Sequence, residues 1–183
     1  MQKSRVVFVP GTGPSGAQAW PRQHGLSLDF DALFLKAAPS DYSWEQRKAA
    51  VASALEDGGH LVAHAEGAAD AMYVALEHPE LVSSLALFEP ACLSLTAELP
   101  ATAAYLSAHS KDELRPWEAP VHIVPGVPTL VITGGWEPVF EEVAQYLVGT
   151  GAVHRTTPGA HRPQDSVEAA GLLKSFLRKQ SPR

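Results

Sequence analysis

Six short stretches of the chain are apolar at almost every position, and helical patterns run between them. They are VVFV (6–9), ALFL (32–35), HLVAH (60–64), SLALF (84–88), TLVIT (129–133) and the weaker AVHRT (152–156). A strand with one wet face alternates apolar and polar residues. A continuous apolar run needs cover on both faces, as in a parallel sheet between layers of helices. Helices are predicted over 43–57, 66–78, 138–148 and 165–178. In the first, Ser43 and Gln46 have capping-box spacing and Gly58 supplies a stop. In the second, Ala68, Met72, Ala75 and Leu76 share a face, and Pro79 ends the run. In the third, Val139, Val143, Tyr146 and Leu147 share a face behind Pro138, which suits a first turn. In the fourth, Val167, Ala170, Leu173 and Leu177 repeat near the helical period. This alternation predicts a three-layer α/β/α sandwich around one mainly parallel, doubly wound sheet of about six strands.

Composition narrows the picture without changing it. A chain of 183 residues with 45% hydrophobic residues suits one domain with a real core. No repeat or linker interrupts it, so 1–183 is read as a single domain, with 92–128 as a short lid-like insertion. The net charge of −6 and the lack of a basic cluster beyond the tail RKQSPR speak against a nucleic-acid partner. Cys92 is the only cysteine, so no intrachain disulfide is possible. The apolar run after MQKSR is only about four residues, too short for a signal peptide or a membrane span. The expectation is a cytoplasmic protein that acts on a small molecule away from membranes. His60 and His64 share a strand but stand roughly 13 Å apart, too far to hold one ion. No metal and no cofactor is expected.

In doubly wound sheets, functional loops gather at the carboxyl ends of the strands. Four such ends carry candidate chemistry. PGTGPSG (10–16) is a loop whose glycines let a ligand approach backbone N–H groups closely, but it lacks the ending of a phosphate-binding loop. LVAHAEGA (61–68) has small residues, Ala63 and Gly67, on either side of position 65, as a sharp strand-to-helix turn requires. GGWEPVF (134–140) offers the carboxylate of Glu137, which also reads as a helix-start glutamate favoured by the dipole. PGAHRPQD (158–165) offers His161 in a loop behind a glycine.

Taken together these four loops resemble those of the α/β-hydrolase superfamily, over nearly the whole chain. AHAEG resembles its nucleophile elbow, GGWEP its G-x-x-D-P acid loop, GAHRPQ its histidine loop, and VPGTGPSG its H-G-x-G oxyanion loop with Pro10 for the histidine. The order of nucleophile, acid and histidine is also that of the family. The resemblance implies a serine hydrolase of esterase or thioesterase type. It makes Ala65 the nucleophile position, Glu137 the acid, His161 the base, and the N–H groups of Thr12 and Glu66 the oxyanion donors. The Glu66 side chain is expected to face solvent or the helix dipole. Glu89, in LFEPA, is a rival acid, because some members carry theirs at that strand end. Leu93, Tyr105 and Trp117 are apolar candidates for the wall of an acyl pocket, under a small lid that leaves the site fairly open.

The departure that matters is at position 65, where alanine has no hydroxyl. Three readings follow: a hydrolase whose serine has been replaced, a member that uses His161 as a general acid or base without a nucleophile, or a binding protein on the same fold.

Overall fold

The computed structural model describes residues 3–109 and 119–181. Six parallel strands form one sheet: β1 (Arg5–Val9), β2 (Asp31–Phe34), β3 (Gly59–His64), β4 (Val82–Phe88), β5 (Thr129–Thr133) and β6 (Val153–Thr156), in the order β2-β1-β3-β4-β5-β6. The order reverses direction at β1, so the chain winds outward from the centre both ways, and the central strands are covered on both faces.

The cover differs between the two faces. Helices α1 (Trp44–Leu55), α2 (Gly67–Glu77) and α4 (Pro138–Gly149) bury Val51, Leu55, Met72, Val143 and Leu147 against Val7, Leu61, Leu85 and Val131. On the other face, α5 (Val167–Gln180) sets Ala169, Leu173 and Leu177 against Val6, Phe8, Val62, Phe88 and Ile132. It shares that face with Trp20, Leu26 and Phe30, which lie in or just after short 3-10 turns at 16–19 and 24–28 rather than on a longer helix. Residue parity sorts the strand residues between the two clusters, as a strand period of two demands, except at Val82, which precedes a register shift between β3 and β4.

The predicted strands and helices all form, with shifts at their ends. α1 starts at Trp44 because Ser43 caps it: the Gln46 N–H donates to Ser43 Oγ while the Ser43 N–H donates to Gln46 Oε1. α5 starts at Val167 because Pro163 holds the preceding residues in a 3-10 turn and Ser166 caps the helix. Helix α3 (Pro100–Ala108), within the stretch 92–128, was not expected. Its cap is not local. The Glu142 carboxylate, from α4, accepts from the N–H groups of Ala101 and Thr102 at 2.9 and 2.7 Å. Those contacts hold the Glu142 carboxyl below its ordinary value against the opposing effect of desolvation. Among the described residues, no helix is long and apolar enough to cross a membrane.

Candidate active site

The register of the sheet brings the candidate loops to one edge. His64 pairs with Phe88, and Phe88 with Ile132. The residues that follow, Ala65 and Glu89, therefore leave neighbouring strands at the same level. The N–H of Ala65 donates to the Phe88 carbonyl at 3.0 Å, and that of Glu89 to the Ile132 carbonyl at 2.9 Å. Both residues then adopt left-handed backbone, with φ of +49° at Ala65 and +46° at Glu89. Non-glycine residues rarely sit there, and two of them side by side at strand ends mark a place where the fold over-determines the backbone.

At Ala65 this conformation makes the sharp turn from β3 into α2, and the small flanking residues are needed. A Cβ at Gly67 would lie 2.7 Å from the Pro10 carbonyl oxygen, so α2 closes directly onto the loop after β1. A Cβ at Gly11 would lie 2.9 Å from the Ala65 Cβ, the Glu66 Oε2 and the His64 carbonyl oxygen alike. Side chain 65 is thus walled by the glycine loop and is only 1% exposed.

The Glu66 side chain, expected to face solvent or the helix dipole, is half-buried. It folds back, and its Oε2 accepts the Thr12 N–H at 3.0 Å. The attraction of a carboxylate for free N–H groups at a loop and helix start accounts for the turn inward.

His161 stands in the loop after β6, its side chain 41% exposed. Its ring lies against Trp136, Phe140 and His64, with centroids 5.8, 5.2 and 5.0 Å away. The loop is tied down from below. The Nε2–H of His64 donates to the His161 carbonyl oxygen at 2.7 Å, and burial lowers the His64 pKa to about 3, so the ring stays neutral and keeps donating. Arg162 adds bonds to Asp165 and to the Ala19 carbonyl. His60, four residues back along β3, is engaged elsewhere, with Ser84 and Ser181.

The carboxylate beside His161 is Glu89. Its Oε2 lies 3.6 Å from His161 Nδ1, and it is fully buried. The distance is an ion-pair contact rather than a hydrogen bond, and His161 Nδ1 has no hydrogen-bond partner among the described residues. Catalytic hydrogen bonds are often long in ligand-free structures and tighten in the complex. A buried carboxylate needs donors. Glu89 has two, the Gly134 N–H to Oε1 at 2.6 Å and the Trp136 indole N–H to Oε2 at 2.9 Å.

Glu137, the carboxylate expected to reach His161, instead precedes α4 with extended backbone, and its side chain makes no hydrogen bond or ion pair among the described residues. It lines a cavity of about 710 Å³ with Leu99, Trp136, Pro138, Glu141 and Tyr146. The GGWEP loop contributes donors to Glu89 rather than the carboxylate. Its first glycine is also the seat of the histidine loop, because a Cβ at Gly134 would collide with the Ala160 carbonyl. Neither role follows from the acid-loop motif. The signal for Glu89 was its place after a fully apolar run, next to the elbow in a parallel sheet.

The apolar candidates are dispersed. Leu93 is a buried member of the core cluster and lines neither large cavity. Tyr105, on α3, stacks on His109 with ring centroids 4.1 Å apart and packs at the edge of the core. Trp117 lies outside the described residues. A second cavity, of about 700 Å³, opens beside Pro10, Gly11, Thr12 and Glu66, with Lys36 and Arg47 also on its walls.

No family model matches the chain, and no curated relative does. Solved structures do match. NosK from Streptomyces actuosus superposes with a TM-score of 0.71 at 22% identity, covering 98% of this chain and 99% of that one. An alpha/beta hydrolase from Sphaerobacter thermophilus gives 0.64 at 19% identity, with 96% and 93% covered. A single-residue variant of an epoxide hydrolase from Bacillus megaterium gives 0.65 at 14%, with 97% and 94% covered. The chain has the α/β-hydrolase fold. An epoxide hydrolase and an esterase from Thermogutta terrifontis are both among the matching structures, so the fold by itself leaves the chemistry to the site.

Proposed function

We propose that the chain is a hydrolase scaffold for carboxylic esters or thioesters in which alanine occupies the place of the nucleophilic serine. The observation that carries this reading is the left-handed turn at Ala65, φ +49°, ending a buried strand and opening a helix beside the His161–Glu89 pair. Nothing in ordinary strand or helix propensity favours such a turn, and nucleophile elbows are built on it. With serine at 65, His161 takes the hydroxyl proton and Glu89 holds the imidazole. The N–H groups of Thr12 and Glu66 face the tetrahedral oxyanion. Glu89 replaces Glu137 as the acid in this reading, because it is the carboxylate beside the ring.

Loss of the nucleophile lowers turnover by about 10⁶, the scale found when a triad serine is removed. Ala65→Ser is therefore expected to hydrolyse short p-nitrophenyl esters and to be labelled by a fluorophosphonate probe. A folded Ala65→Ser protein that shows neither overturns the proposal. A second reading, in which the chain as written uses His161 as a general base, is supported by the His161–Glu89 pair, which needs no hydroxyl. It requires an activity of the chain as written that His161→Ala abolishes.

A further inference from the structure

The position where a substrate oxygen would meet the Thr12 N–H is already filled by Glu66 Oε2, at 3.0 Å. The same oxygen and the Ala65 Cβ both lie 2.9 Å from one point, the place of a Cβ on Gly11. The Glu66 Oε2 and the Ala65 Cβ therefore border the same small space in front of Gly11. An anion held there excludes a second one by charge as well as by volume. We propose that Glu66 is a latch on the ligand site: its carboxylate occupies the oxyanion donor of Thr12 in the resting protein, and any ligand oxygen must displace it. This rests on the proposed hydrolase reading for its consequence, though not for the contact itself.

The displaced carboxylate has somewhere to go. Glu66 lies on the wall of the 700 Å³ cavity that also holds Lys36 and Arg47. Lys36 has no ion pair among the described residues, and the Nε of Arg47 is engaged with Asp70 while its terminal guanidinium nitrogens are not. In the open state the carboxylate would turn toward these cations, exchanging a backbone N–H for an ion pair. The Asp70 carboxylate, held by Arg47 and by the Trp44 indole N–H, faces the same cavity and shares the Arg47 cation, which leaves Lys36 as the freer partner.

The cost to a ligand follows from the occupancy. A latch closed in nine molecules of ten weakens binding about tenfold. The test uses the full chain as written, with Ala65, and butyrate as the probe, a short carboxylate whose oxygen competes for the Thr12 N–H. Backbone amide shifts of Thr12 and residue 66 are followed by NMR in the parent chain, in Glu66→Gln and in Glu66→Ala. The Gln variant keeps an acceptor without the charge. The Ala variant removes both. The expected result is a shift of the free Thr12 amide on Glu66→Ala, and butyrate affinity rising about tenfold from parent to Ala with Gln between them. An unmoved Thr12 amide, or equal butyrate affinity in parent and Glu66→Ala, overturns the latch.

Turnover separates this inference from the reading it rests on. If Ala65→Ser and Ala65→Ser with Glu66→Ala hydrolyse p-nitrophenyl butyrate equally well, the latch falls and the hydrolase reading stands. If neither hydrolyses it while the amide and butyrate responses appear, the hydrolase reading falls and the latch stands. Faster turnover in the double variant supports both.

Discussion

Glu89 and Glu137 are two glutamates, each followed by proline, in the loops after neighbouring strands, and they live in opposite environments. Glu89 is wholly buried, has a left-handed backbone, accepts two hydrogen bonds and lies 3.6 Å from His161. Glu137 is half-exposed, has an extended backbone and lines an open cavity with no bonded partner among the described residues. The motif around Glu137 is the better match to an acid loop, yet the fold surrounds Glu89 with what an acid needs. A carboxylate that orients a histidine must be fixed and shielded. Those properties come from donors across the sheet rather than from the residues on either side.

The largest expected effect breaks this comparison at Glu89. In the Ala65→Ser background, Glu89→Gln is expected to lower kcat by about 10⁴, the scale of the corresponding change in a serine-protease triad. The amide presents an NH₂ group to the Gly134 or the Trp136 donor, so thermal stability falls as well, by about 1–3 kcal/mol for one unsatisfied buried group. Turnover and denaturant unfolding measured on the same sample separate the two effects. An unchanged kcat would return the role of acid to another residue.

The same contrast explains what was readable from the sequence. The six strands were legible because a run such as TLVIT has one interpretation once helices flank it on both sides. The sharp turn at Ala65 was legible because Ala63, Gly67 and the helix after them are local requirements of a tight turn. Helix α3 was not, because its N-terminal N–H groups are satisfied by Glu142, some forty residues on, rather than by a cap in its own sequence. The inward fold of Glu66 depends on Thr12, across 54 residues, and the donors to Glu89 lie 45 and 47 residues away. Local pattern reads what local sterics dictate. Partners brought together by sheet register are visible only once the register is known.

A smaller effect is expected where the histidine loop rests on β5. Gly134→Ala places a methyl group into the Ala160 carbonyl, so the loop carrying His161 must move. The expected loss is about 1–3 kcal/mol of stability, as for other overpacked sites. In the Ala65→Ser background kcat falls about 10²-fold, as a displacement of about 1 Å costs in positioned catalysis. If Gly134→Ala leaves both unchanged, the contact between these two loops has no part in setting the site. Trp136→Phe acts more weakly. It removes one of the two donors to Glu89 but keeps a ring against His161 and Phe140. With the indole 47% exposed, water can supply the missing bond, so stability falls by about 1 kcal/mol and turnover by less than tenfold.

The smallest effect is expected at Glu137, and it is the one that sharpens the comparison. If residence in the acid-loop motif made a residue catalytic, Glu137→Gln in the Ala65→Ser background would cost as much as Glu89→Gln. If the environment decides, it costs almost nothing. The side chain has no bonded partner to lose, and a carboxylate at the helix start contributes only about 0.3–1 kcal/mol through the dipole at an exposed position. Stability should therefore stay within about 1 kcal/mol and kcat within about twofold. A parallel measurement on a bulkier p-nitrophenyl ester is informative, because Glu137 borders the 710 Å³ cavity beside Trp136. A change in KM for the bulky ester with kcat unmoved places Glu137 among residues that touch the substrate. A fall in kcat for both esters alike, on the scale of Glu89→Gln, makes it the acid after all.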